Sequence, residues 1–120
     1  MKLLLSLSAF ALTACATMPT AASPTAGLGQ NAQAGLLRVR PLAVIEDSRC
    51  PINALCMWAG RLIVRAEVEA AGRRTTHDMT LGVATPVTGG TLTLVFGQPG
   101  KQADVPNDPA AYRFTFAFQR

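Results

Sequence analysis

Tyr112, Phe114, Phe116 and Phe118 alternate with Arg113, Thr115, Ala117 and Gln119 near the end of the chain. A period of two puts four aromatic rings on one face of a β-strand. A face that apolar needs a second layer to cover it. The preceding sequence offers that layer in the same form. Leu37, Val39, Ala43 and Ile45 share a face over 37–45, with Arg38 and Arg40 opposite. Pro41 has no N–H to give a ladder, so this strand is expected to be an edge or to carry a bulge. Leu62, Val64, Ala66 and Val68 face one way and Arg61, Arg65, Glu67 and Glu69 the other. Ala71-Gly72 is a turn into Arg73–Leu81, where Thr75, His77, Met79 and Leu81 share a face; over 91–96, Leu92, Leu94 and Phe96 are expected to point inward.

Short strands separated by Gly- and Pro-rich turns predict an all-β domain. The expected form is a small antiparallel β-sandwich, immunoglobulin-like, with a small barrel as the alternative. If the strands flanking the cysteine segment pair antiparallel, one register sets Arg38 opposite Glu69 and Arg40 opposite Glu67. Such pairs contribute a few tenths of a kcal/mol and keep a sheet face polar.

From 18 to 35 the chain carries no charge and almost no large apolar side chain. A segment of that composition cannot bury enough surface to offset its ordering entropy. The sequence therefore divides into a leader over 1–14, a flexible tether over 15–35 and a β-domain over 36–120, with a short extra strand around Gly29 to Gln33.

The leader has Lys2 followed by an apolar run from Leu3 to Leu12, too short to span a bilayer and suited to the core of an export signal. Leu12-Thr13-Ala14-Cys15 resembles the lipobox of bacterial lipoprotein precursors. The resemblance implies diacylation of Cys15, which becomes the first residue of the mature chain. The acyl chains would hold it to a membrane, each buried methylene contributing about 0.8 kcal/mol. An ordinary secretory signal cut at Ala14-Cys15-Ala16 is the rival reading. Ala16, where an aspartate would resemble an inner-membrane retention signal, points to the inner leaflet of the outer membrane, facing the periplasm.

With Cys15 assigned to lipid, Cys50 and Cys56 remain as an even pair in an oxidising compartment and are expected to form a disulfide. Glu46-Asp47-Ser48-Arg49-Cys50-Pro51, followed by Cys56-Met57-Trp58-Ala59-Gly60, is the most distinctive internal string. Here the chain resembles a family of uncharacterised small bacterial envelope proteins and lipoproteins that share an Asp-Ser-Arg-Cys-Pro … Cys-x-Trp-Ala-Gly segment between two strands. That resemblance implies fold and address but no chemistry. Within the segment, Trp58 is placed to cover the bridge, Arg49 to pair with Glu46 or Asp47, and Asp47 and Ser48 to bond turn backbone. Its tip, Ile52-Asn53-Ala54-Leu55, is either the filling of a structural corner or a preorganised recognition surface.

The formal charge of +4 is scattered, without a basic helix or a basic-aromatic stripe, so no nucleic-acid partner is expected. His77 is the single histidine, and the sequence holds no metalloprotease or phosphate-loop motif. No catalytic residue and no cofactor are assigned. The expected role is a non-catalytic, lipid-anchored interaction or accessory module with an envelope protein or polysaccharide partner, using Ile52, Leu55 and Trp58. The alternatives are a ligand- or copper-binding module around His77 and Met79, whose imidazole and thioether share a strand face, and a loop-presenting inhibitor.

Overall fold

The computed structural model describes residues 22–103 and 105–120. The leader, Cys15 and the first part of the tether lie outside the described residues. Eight antiparallel strands form two four-stranded sheets: β1 (Thr25–Ala26), β2 (Ala32–Ala34), β3 (Leu37–Asp47), β4 (Leu62–Ala70), β5 (Arg73–Thr80), β6 (Ala84–Val87), β7 (Gly90–Gln98) and β8 (Arg113–Gln119). Among the described residues one 3-10 turn, Pro109–Ala111, is present, capped by the carboxylate of Asp108. One sheet runs β1-β8-β7-β6 and the other β2-β3-β4-β5.

That order is informative. Each strand's sheet neighbours are its neighbours in the chain, and the β1–β8 pairing joins the first strand to the last. The sandwich is thus an up-and-down ring pressed flat, open at two seams, β1/β2 and β5/β6. It has none of the Greek-key crossings of an immunoglobulin domain, which corrects that part of the expectation in favour of barrel-like connectivity. Backbone hydrogen bonds bridge both seams. Gln33 N–H donates to the Ser23 carbonyl at one seam; at the other, Leu81 N–H donates to Leu62 and Gly82 N–H to Leu94.

The expected register between β3 and β4 is the observed one, with Arg38 opposite Glu69 and Arg40 opposite Glu67. Arg38 pairs with Glu69, while Glu67 is instead approached by Arg74 from β5. The core draws on both sheets: Val39, Leu62, Val64, Met79, Leu92, Leu94, Phe114 and Phe116 are buried, and Phe118 is half-buried at one end. Full burial of such side chains contributes about 1.5–3 kcal/mol each.

Three expectations need correction. The tether does not extend to residue 35, because β1 and β2 add strands to both sheets and bury Ala26, Ala32 and Ala34. Small residues suffice there because backbone pairing, rather than side-chain volume, holds the segment. Second, Phe96 does not face inward. A bulge between Leu94 and Phe96 shifts the register by one residue and leaves Phe96 62% exposed. Third, bulges between Pro41 and Ala43 and between Val44 and Glu46 end the period of two after Pro41, so Val44 packs against the core and Ile45 turns out of it.

Candidate functional site

At one end of the sandwich the chain leaves β3 at Asp47 and returns to β4 at Leu62. The stem between them is held by backbone hydrogen bonds from Ser48 N–H to Arg61 and from Cys50 N–H to Ala59. The Ser48 hydroxyl accepts from Arg61 N–H at 3.1 Å. Gly60 has φ of 66°, and a Cβ there would collide with the Ser48 carbonyl, so the return needs glycine. The Cys50–Cys56 disulfide closes the tip.

A polar clasp fixes the base of this loop to the opposite sheet. Arg49 reaches Asp47 with two parallel hydrogen bonds, 2.8 and 2.9 Å. Further donors of its guanidinium reach the carbonyls of Gly97, near the end of β7, and of Pro99 just after it. Asp47 also accepts from the Tyr112 hydroxyl at 2.7 Å, and Lys101 caps the Asp47 carbonyl oxygen at 2.6 Å. The paired Arg49 guanidinium holds the Asp47 carboxyl at about 2, against a burial effect that would raise it; Tyr112 helps. Asp47 and Arg49 are both largely covered, so the hydrogen bonds are of the strong, charge-assisted kind. The pairing of Arg49 falls on Asp47, and Glu46 pairs with Arg61 instead.

Further out, Ile52 N–H donates to the Lys101 carbonyl and Ala103 N–H to the Asn53 side chain. The tip is therefore buttressed, while its apolar side chains are not covered. Ile52 is 72% exposed, Leu55 fully exposed, Met57 90% and Trp58 76%. Trp58, which the sequence placed over the disulfide, is instead largely open to solvent. No charged residue lies between Arg49 and Arg61. Four large apolar groups on a rigid, uncharged projection are what a recognition surface requires and what a structural corner would bury.

The clasp was the part sequence reasoning missed. Asp47 and Arg49 are visible in the motif, but nothing in the pattern points to Tyr112, 65 residues away, or to Lys101.

Compared with protein-family models, curated proteins and solved structures, the chain matches none. Its own geometry carries the functional argument.

The alternative site is less coherent. Met79 is fully buried in the core. His77, half-buried on the edge strand β5, shares a 2.9 Å hydrogen bond between its Nε2 and the Thr75 hydroxyl. The two side chains thus do not present a joint ligand set to solvent. Among the described residues, no three His, Cys, Asp or Glu side chains cluster as a metal site.

Proposed function

We propose that the protein is a non-catalytic, lipid-anchored component of the bacterial envelope that docks onto a protein partner through the disulfide-closed loop. The exposure of Ile52, Leu55, Met57 and Trp58 on a clasped and bridged loop carries this reading. Preorganisation by the disulfide and by Arg49 lowers the entropy lost on association, and tryptophan is among the residues enriched in binding hot spots. The lipobox-like segment ending in Cys15 supports the address.

Ser48 and His77, the single histidine, stand on separate parts of the fold. Ser48 lies opposite Arg61 at the loop stem, and His77 pairs opposite Ala66. Five residues of extended chain from Arg61 to Ala66 put about 17 Å between those positions, and the Ser48 hydroxyl is engaged by the stem.

The test is a photoreactive residue at Leu55 in intact cells, with a second at Thr76 on the charged sheet face as a control. A single abundant protein adduct from position 55 and none from 76 is the expected result. Equal labelling from both positions, or adducts with lipid alone from 55, would overturn docking through this loop. The address is tested separately: Cys15→Ala should move the protein from the membrane fraction to the soluble one.

A further inference from the structure

The other end of the sandwich is open. There the β2–β3, β4–β5 and β6–β7 hairpins meet the last residues of β8 around a cleft of about 430 Å³, lined by Leu36, Leu37, Ala70, Ala71, Phe118 and Arg120 beside Thr88 and Gly89. That volume falls within the range of small-molecule pockets, and the mouth of a β-ring is a common place for one. Its walls are mainly aliphatic and aromatic. Phe118, the last of the four alternating rings, is half-buried, with Gly35 of the β2–β3 turn against one part of its ring and the cleft beside the rest. Leu36 stands 80% exposed at the tip of its hairpin. Leu36 and Ala71 also line a smaller polar recess of about 190 Å³ with Gln33, Arg38 and Glu69, so the two residues form the ridge between an apolar and a polar compartment.

Ala71 gives a second observation. It opens a two-residue turn with φ of 50°, a left-handed conformation for which Gly or Asn is the usual choice. Glycine occupies the positive-φ position of each of the other two hairpins, Gly35 and Gly89. Ala71 lines both the cleft and the recess.

We infer that this open end binds a small amphiphile carrying one carboxylate, its apolar part against Leu36, Ala71 and Phe118 and its carboxylate on the Arg120 guanidinium. The charge follows from the lining. Arg38 is already paired with Glu69, which leaves Arg120 as the cation at the apolar compartment. One guanidinium matches one carboxylate with two parallel hydrogen bonds. The site lies at the far end of β3 and β8 from the disulfide loop and does not depend on the docking proposed for that loop.

The experiment is an NMR titration of the full chain carrying Cys15→Ser, which prevents acylation, with decanoate and, in parallel, decanol. Saturable shifts at Leu36, Ala71, Thr88 and Phe118 are expected with decanoate, and binding about tenfold weaker with decanol. Arg120→Gln should bring decanoate down to the decanol level, while Leu36→Asn, at an exposed position, should weaken both at least fivefold. No saturable shift at these residues, equal binding of acid and alcohol, or shifts centred on Ile52–Trp58 would overturn the assignment. So would shifts at the cleft that depend on protein concentration without ligand, since the occupant would then be a second copy of the chain.

Discussion

Tyr112 donates its hydroxyl to Asp47 Oδ2 at 2.7 Å, joining the start of β8 to the end of β3. This bond and the Asp47–Arg49 pair join two strand ends into one platform under the disulfide loop. Tyr112→Phe is expected to remove about 1 kcal/mol of stability and to raise the Asp47 pKa. Chemical denaturation and a carboxyl-observed NMR titration check the two effects.

Asp47 also sets an acid limb. Its carboxyl is held at about 2, below the ordinary 3.8. A carboxyl depressed in the folded state adds stability that is complete above the unfolded value and is lost as pH falls toward the folded one. The contribution, about 2 kcal/mol, should be full at pH 5 and decline between pH 4 and pH 2. In Asp47→Asn the melting temperature should already be reduced at neutral pH and should fall less steeply through that window. Parallel slopes for the two proteins would exclude the assignment.

The disulfide closes a small loop, and loop entropy puts its contribution at about 2 kcal/mol. Cys50→Ser with Cys56→Ser should lower stability by about that amount, as should reductant added to the unmodified protein. A melting curve indifferent to reductant would show that the stem and clasp alone hold the corner.

Leu55→Asp and Trp58→Ser should leave stability within about 0.5 kcal/mol of the parent, because both side chains are exposed. Both should abolish capture of a partner. A loss of stability comparable to that of a core truncation would mean that the loop packs on its own domain.

The bulge in β7 separates two neighbours of similar appearance. Leu94→Ala should cost about 3 kcal/mol, whereas Phe96→Ser should change stability by less than about 0.5 kcal/mol. Comparable losses at the two positions would mean an unbroken strand.

Alternation made the central strands legible. Arg38, Glu69 and the aromatic face of β8 stand where a period of two puts them, because a strand with one buried face has little freedom of register. Phe96 and Ile45 escaped it. Pro41 marked β3 as a strand that could bulge, but the positions of its bulges, and so the outward turn of Ile45, depend on the fit to β4. Nothing in the residue types of β7 marks the bulge before Phe96. Ala26, Ala32 and Ala34 escaped for another reason. Strands so short and small-sided are held by their neighbours' backbones, and composition alone reads them as linker. At the site, the cysteines, Asp47 and Arg49 were readable as a local string. Tyr112, Lys101 and the outward turn of Trp58 depend on contacts between distant segments.

The route of the amino-terminal segment has one more consequence. Ser23 and Pro24 present carbonyls to Gln33 and Phe116, and the strands on either side of 27–31 lie along β8 and β3. The segment therefore works as a hem, sewn over the ladder edges of both sheets at once. Cut between 27 and 31 by a protease and pulled away, it would bare two unsatisfied edges on the same side of the domain, each ready to accept a strand from another molecule. With the hem in place both of those edges stay paired within the domain.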